Sequence, residues 1–158
     1  MCSDVVSYGP LDRSGRLVSL RPVDGENRRA VADVTVSDEQ RRFTAASGAR
    51  YVLPSAMEHV WSSLGVYADE QVVGHAMWGV DDEGVYWIGA LVDAGEQRRG
   101  VGLAAMRTLV CWLSARPACE VIRLSYDPRN VRLGPVRLAG VRGHRRYRRR
   151  RGGRRGSI

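Results

Sequence analysis

The sequence predicts an α/β fold in which a mixed sheet carries helices on its faces. Segments with strand and helix patterns alternate along residues 17–126, in the order strand, helix, helix, strand, strand, strand, helix, strand. A glycine-rich turn over residues 97–102 joins an apolar strand to an amphipathic helix. The chain has 158 residues, which suits a single domain with a sizeable core.

The first half of the chain supplies strands on both sides of a helical segment. Leu17 to Val23 forms the first predicted strand, and a helix follows from about Gly25. Residues 61–69 and 71–80 are typical of a helix end and two further strands. These elements precede the segment that carries the chemistry.

A strand, a turn and a helix follow in direct succession. Residues 85–92 form an apolar run rich in β-branched and aromatic residues, from which we predict a strand over Tyr86 to Val92. After the glycines, apolar residues recur at helical spacing and Pro117 closes the run; they are Leu103, Met106, Leu109, Val110 and Leu113. Val121 to Tyr126 is the last predicted strand.

The turn between this strand and this helix has the properties of an anion site. Free N–H groups and the positive end of the helix dipole converge at a helix N-terminus. Gly100 and Gly102 allow a ligand to approach the backbone, and Arg98 and Arg99 add positive charge beside it. A pyrophosphate is the ligand that fits this pattern.

Two familiar phosphate motifs do not match. A Walker loop ends in Gly-Lys-Ser/Thr, and this chain contains no lysine. A dinucleotide fingerprint has three glycines and an acidic residue about 20 positions further on, whereas the sequence from Leu103 onward continues as a helix.

The segment resembles the acetyl-CoA signature of the GCN5-related N-acetyltransferases (GNAT), Gln/Arg-x-x-Gly-x-Gly/Ala. Gln97, Gly100 and Gly102 fill its three fixed positions. The resemblance covers residues 15–130. Within it, Asp38-Glu39-Gln40 with Phe43, Tyr51 and Pro54 is similar to bacterial diamine and spermidine acetyltransferases, and Leu124 to Asn130 is similar to the family's fifth strand and its following asparagine.

The resemblance implies acetyl-CoA as co-substrate and a sheet whose fourth and fifth strands, Tyr86 to Val92 and Val121 to Tyr126, splay apart around the pantetheine arm. Leu91 and Val92 would contact that arm through their backbones, although both also suit a buried strand. The implied cofactor-binding residues are Leu91, Val92, Gln97, Arg98, Arg99, Gly100, Val101, Gly102, Leu103 and Asn130.

The acceptor implied by the resemblance is a small-molecule primary amine, such as a polyamine or a diamine like spermidine. Glu39 is the candidate for contact with a cationic amine, and a solvated helix end is the alternative. Asp81, Asp82 and Glu83 are predicted to form a solvated hairpin, and Tyr126 to pack. The general base and the general acid are not assigned, because the tyrosine acid common in the family has no counterpart here.

The pattern of cysteines and histidines limits the other kinds of site and the cellular location that we expect. The 3 cysteines and 3 histidines are scattered without metal-ligand spacing, so we expect no metal site and a reducing, cytoplasmic location. No apolar window is long enough for a membrane span, so no membrane contact is expected. The resemblance is also compatible with a homodimer.

The distribution of charged residues divides the chain into two segments. Residues 131–158 hold 11 of the 25 arginines and no acidic residue, so residues 1–130 are mildly acidic and the tail is strongly basic. We therefore predict an N-acetyltransferase domain over residues 1–130 that lacks its C-terminal closing elements, and a disordered or out-of-frame Arg/Gly-rich tail over residues 131–158.

Our hypothesis for the tail is a frameshift from about residue 131 onward. When the codons for residues 138–141 are read one base later, they can encode Ser-Leu-Gly-Phe, which contains the family's missing Leu-Gly-Phe signature; residues 134–137 can likewise encode Ala-Leu-Tyr-Ala. Activity would then be impaired, and the last predicted strand would be an open edge. The alternative is a non-catalytic binding protein whose tail contacts RNA or another polyanion, non-specifically or by selection.

Overall fold

The computed structural model describes residues 7–42, 61–126 and 146–151. They form one sheet of seven strands in the order β1-β2-β3-β4-β5-β6-β7. The strands are β1 (Ser7–Leu11), β2 (Leu17–Pro22), β3 (Trp61–Ala68), β4 (Gln71–Val80), β5 (Tyr86–Val92), β6 (Val121–Tyr126) and β7 (Arg146–Arg151). Neighbours from β1 to β5 are antiparallel, whereas β5–β6 and β6–β7 are parallel. The predicted mixed α/β sheet is confirmed.

Two helices lie on opposite faces of this sheet. The long helix α2 (Val101–Ser114) packs on β1, β2 and β5, and the short helix α1 (Arg28–Ala32) packs on β4. Successive side chains of a strand point to opposite faces. Leu64 and Val66 of β3 lie in the core under α2, whereas a Cβ on Gly65 would meet the Val31 Cγ2 of α1 at 3.1 Å.

The main core lies between the sheet and α2. The apolar stripe that predicts this helix is buried at Met106, Leu109, Val110 and Leu113, whereas Leu103 is 40% exposed. A smaller cluster on the α1 face contains Val34, Val36 and Leu91. This second cluster anchors the segment after α1 against the end of β5.

The predicted splay between the fourth and fifth predicted strands is present between β5 and β6. Their paired residues run from Tyr86 with Ile122 to Ile88 with Leu124. Beyond that point, β5 continues to Val92 and β6 to Tyr126 without pairing to each other within the described strands. A gap therefore opens at the C-terminal ends of the two strands.

Two elements differ from the sequence prediction. β1 was not predicted, because its five residues include a glycine and a proline. β7 lies in the tail, where no strand was predicted, and it covers the edge of β6 that was expected to be open. An edge strand presents unpaired backbone groups that another extended segment can pair with, so pairing needs no alternation of apolar side chains.

Candidate functional site

The glycine-rich turn has a left-handed backbone conformation at two residues just before α2 begins. Gly100 is the residue before the helix and has φ +82°, and Arg98 two residues earlier has φ +66°. The Ala104 N–H donates to the Gly100 carbonyl at 3.1 Å, the first bond of the helical ladder. The N–H groups of residues 101–103 precede that bond and have no carbonyl in a preceding turn. They form the N–H cluster predicted for an anion site.

The glycines keep this turn close to its neighbours. A Cβ on Gly102 would meet the Val92 Cγ2 at 3.3 Å, and one on Gly100 would meet the Arg13 Cγ at 3.2 Å. Gly102 therefore lets the helix start lie against the end of β5. The left-handed φ of Gly100 gives an independent reason for glycine at that position.

The charges at the turn come from arginines and one carboxylate. Arg98 and Arg99 are exposed. Glu96 lies next to them and forms ion pairs with Arg16 at 2.6 Å and with Arg99 at 3.6 Å. Glu96 is therefore paired with two guanidinium groups, and the turn as a whole is positively charged.

The hydrogen-bond parity of β5 decides which backbone groups face the gap. The Asp93 N–H donates to the Val73 carbonyl of β4 at 2.8 Å. Because backbone direction alternates along an antiparallel strand, the groups of Leu91 point to β4 and those of Ala90 and Val92 point to the gap. A Cβ on Gly74 of β4 would meet the Leu91 oxygen at 2.5 Å, which agrees with this assignment.

Of the two predicted backbone contacts, the structure thus turns Val92 toward the gap and Leu91 away from it. The Leu91 side chain is buried with Val34 and Val36, as its alternative interpretation as strand core predicts. Periodicity identifies the strand, but its parity depends on pairing with β4, which the sequence does not specify.

The Gln97 side chain holds the glycine-rich turn in place through two hydrogen bonds. Its Nε2 donates to the Val92 carbonyl at 3.3 Å, and its Oε1 accepts from the Ser37 hydroxyl at 3.4 Å. The side chain predicted to bind cofactor therefore joins the end of β5 to the segment after α1. This arrangement gives the first fixed position of the signature a structural role.

Glu39 is exposed and lies on a turn two residues after Ser37. The Ala94 N–H donates to the Thr35 carbonyl at 2.7 Å, which holds this segment beside the end of β5. The structure therefore brings the segment of Glu39 to the glycine-rich turn. Asn130, also predicted to contact cofactor, lies outside the described residues.

His75 is a buried polar residue that the sequence did not single out. It lies on β4 opposite Leu91, is 1% exposed, and its Nε2 lies 3.0 Å from the Ser63 hydroxyl of β3. Burial lowers the pKa of His75 to about 4, so the ring is neutral at pH 7. The contact joins two strands, so the spacing of residues along the sequence does not predict it.

The predicted acidic hairpin lies at the opposite end of β5 from the gap. Asp81 accepts hydrogen bonds from the backbone N–H groups of Glu83 and Val85 and from the Trp87 indole at 2.8 Å. The indole bond is the main reason that the pKa of Asp81 is lowered. Asp81 therefore has a structural role in this turn.

Within residues 7–42, 61–126 and 146–151, no group of three or more potential metal ligands lies together. The helices of the same ranges include none that is long and apolar enough to cross a membrane.

Comparison with known families identifies the family to which a chain with this turn, helix and gap belongs. A sequence model of the acetyltransferase (GNAT) family matches residues 41–136, more than half of the chain. The chain belongs to the GNAT acetyltransferase family. Membership confirms the predicted enzyme class, an N-acetyltransferase that uses acetyl-CoA as co-substrate.

Two curated GNAT relatives come from Bacillus subtilis. One is the spermine/spermidine N(1)-acetyltransferase of strain 168, and the other is the probable spermine N(1)-acetyltransferase of subspecies natto strain BEST195. Each is 27% identical over 123 residues, which cover 72% of this chain and 80% of the Bacillus protein.

Solved structures share the GNAT fold at lower identity. The GNAT domain of S. lividans PAT aligns with TM-score 0.66 and 16% identity, over 84% of this chain and 85% of that one. The aminoglycoside acetyltransferase AAC(6')-Ib in complex with coenzyme A aligns with TM-score 0.61 and 19% identity, over 73% and 78%. These likenesses confirm the fold.

Proposed function

We propose that this chain transfers the acetyl group of acetyl-CoA to a primary amine of the diamine or polyamine class. The observation that carries the proposal is the gap between β5 and β6, which ends beside the N-terminus of α2. A long, thin co-substrate with a pyrophosphate at its middle fits a strand gap that leads to an anion site.

The residues present fit the phosphates and the arm of coenzyme A. Residues 98–103 supply the N–H groups and positive charge for the pyrophosphate, and Gly102 leaves space that a side chain would fill against Val92. The backbone groups of Ala90 and the N–H of Val92 face the gap and supply hydrogen bonds for the amide groups of pantetheine, whereas the Val92 carbonyl accepts from Gln97. Leu91 contributes its buried side chain, which holds this end of β5 in place.

Acetyl-CoA supplies an activated thioester, and the chain has to bring a neutral amine to it. Amines of this class are ammonium ions at neutral pH, so a proton must leave before attack. Glu39 is the acidic residue that we assign to contact with the cationic amine, because its segment lies beside the glycine-rich turn. The names of the two Bacillus relatives support the polyamine class.

A panel of acceptors tests this function. Purified protein is incubated with acetyl-CoA and spermidine, spermine, a diamine or a neutral-tailed monoamine, and products are measured by mass spectrometry. We expect acetylated polyamine, and Glu39→Gln should raise the KM for spermidine several-fold with little change for the monoamine. Glu83→Gln in the distal hairpin is the matched control. Equal KM values for the Glu39 and Glu83 variants would contradict the assignment of Glu39.

We also propose that residues from about 131 onward are read in a shifted frame and that activity is impaired as a result. The family match that ends at residue 136 supports a break in this region. A gene restored by one base should encode a protein with higher kcat. Resequencing that returns the same frame, together with equal kcat for the two versions, would overturn this proposal.

The second candidate function is polyanion binding by the tail. It is favoured by the 11 arginines and the absence of acidic residues in residues 131–158. Deletion of residues 131–158 should then abolish RNA binding, whereas acetyl-CoA binding should remain. A strong salt dependence of RNA binding that disappears with the tail would support this second function.

A further inference from the structure

The turn between β1 and β2 lies directly on the glycine-rich turn, far from it in sequence. The Arg13 N–H donates to the Arg99 carbonyl at 2.7 Å, and the Arg13 Nη1 donates to the Arg98 carbonyl at 3.3 Å. The Arg13 Cγ also lies 3.2 Å from the position a Cβ would take on Gly100. Arg13 thus contacts residues 98–100 through its backbone, its stem and its guanidinium.

A buried ionic network holds this β1–β2 turn in place. The Asp12 side chain is fully buried and accepts from the Ser14 N–H at 2.8 Å and from the Arg16 N–H at 3.0 Å. Arg16 bridges Asp12 at 2.9 Å to Glu96 at 2.6 Å. One arginine therefore ties the β1–β2 turn to the residues just before the glycine-rich turn.

The titration behaviour agrees with this geometry. Burial by itself would raise the pKa of Asp12, but its hydrogen bonds from Arg16 and Ser14 outweigh burial and hold the pKa below 3.8. The hydrogen bond to Glu96 is the main cause that raises the pKa of Arg16. Asp12 and Arg16 are therefore both charged at neutral pH, and Arg16 forms ion pairs with Asp12 and with Glu96.

The same network pairs the negative charge of Glu96, which lies next to the proposed phosphate site. Glu96 is the carboxylate nearest to the turn in sequence, and Arg16 and Arg99 pair with it. Arg13 is exposed, and its guanidinium, which carries five N–H groups, donates to the Arg98 carbonyl through Nη1. Among the residues that the structure describes, no carboxylate forms an ion pair with Arg13, and its guanidinium lies beside the Arg98 carbonyl of the glycine-rich turn.

On the basis of the proposed function, we propose that Arg13 is a phosphate-binding residue of the acetyl-CoA site. The Asp12–Arg16–Glu96 network positions it, and its guanidinium donates to a phosphate oxygen at the nucleotide end of coenzyme A. Charge-assisted bonds from arginine to phosphate are among the stronger hydrogen bonds in proteins. The β1–β2 turn is therefore a second wall of the site, in contact with the glycine-rich turn through Arg13.

The experiment compares Arg13→Met, which keeps the stem over Gly100 and removes the guanidinium, with Arg13→Lys, which keeps the charge. Arg107→Met is the matched control, because Arg107 is an exposed arginine further along α2. Titration calorimetry with acetyl-CoA measures Kd. We expect Arg13→Met to raise Kd about tenfold, Arg13→Lys about threefold or less, and Arg107→Met less than about twofold.

A second donor separates phosphate binding from a purely structural role. S-acetylpantetheine has no phosphates, so kcat/KM with this donor should be equal in wild type and Arg13→Met. A wild-type Kd for Arg13→Met would overturn the assignment of Arg13, as would an equal loss with both donors. If wild type itself binds no acetyl-CoA, the proposed function fails, and the role of Arg13 fails with it.

Discussion

Acidification should destabilise this protein through His75 before the pH falls to the range in which Asp12 and Glu70 are protonated. His75 is 1% exposed between β3 and β4, where Ser63 lies 3.0 Å from its Nε2. Burial lowers its pKa to about 4. The folded chain therefore keeps the ring neutral at a pH where the unfolded chain has begun to take up a proton.

The sign and size follow from these two pKa values. Between the folded value of about 4 and the ordinary value of 6.5, the unfolded state binds more protons, so stability falls as the pH falls through this window. Going from about pH 7.5 to about pH 5 should remove about 2 kcal/mol from the free energy of unfolding. The carboxylates with lowered pKa values, such as Asp12 and Glu70, lose their contributions mainly below their ordinary values of 3.8 and 4.5.

Urea unfolding at several pH values, followed by tryptophan fluorescence, measures this loss. His75→Gln removes the titrating group and keeps an amide that can bond to Ser63, so its stability should change little over the same window. Ser63→Ala is the matched control, because it keeps the titrating ring and should retain the pH dependence. Equal pH dependence in wild type and His75→Gln would refute the reasoning.

Two further predictions concern the glycines that shape the site. Gly74→Ala should cost about 2 kcal/mol of stability and raise the KM for acetyl-CoA, because its Cβ would lie 2.5 Å from the Leu91 oxygen and force β4 and β5 apart; unchanged values in urea unfolding and kinetics would contradict this. Gly100→Ala should cost about 1–2 kcal/mol because of its left-handed φ of +82°. Gly102→Ala, in the first turn of α2, should stay within about 0.5 kcal/mol of wild type, because the higher helix propensity of alanine offsets the tight contact of its Cβ with Val92. Equal unfolding free energies for these two variants would show that the left-handed conformation of Gly100 contributes nothing.

Local patterns predicted the elements that hold the site. The apolar run over residues 85–92 predicted β5, and the resemblance placed β5 and β6 at Tyr86–Val92 and Val121–Tyr126, the bounds found in the structure. The gap between them was predicted from the resemblance. Spacing of apolar residues and Pro117 predicted α2, and the glycines between β5 and α2 predicted the turn. All of these signals lie between residues 86 and 126, a range in which periodicity and turn chemistry are informative.

Contacts between distant segments could not be predicted in this way. In the β1–β2 turn, Arg13 contacts Arg98 and Arg16 contacts Glu96, each eighty or more residues away in sequence. The direction of the Leu91 backbone depends on its pairing with β4, and the neutral state of His75 depends on burial between strands. Residue type and spacing carry no information on such contacts, so the second wall of the site became visible only in the fold.

The central claim is that residues 98–103 bind the pyrophosphate of acetyl-CoA. Titration calorimetry of acetyl-CoA into wild type, Gly100→Asp and Gly100→Asn tests it most directly, because the two variants place side chains of equal size on the same left-handed residue. A carboxylate about 6 Å from a phosphate is repelled by about 3 kcal/mol at an effective dielectric constant of about 20, which is about a hundredfold in Kd. We predict that wild type binds, that Gly100→Asn binds more weakly, and that Gly100→Asp binds about a hundredfold more weakly than Gly100→Asn. Absence of binding by wild type, or equal Kd values for the two variants, would contradict the account.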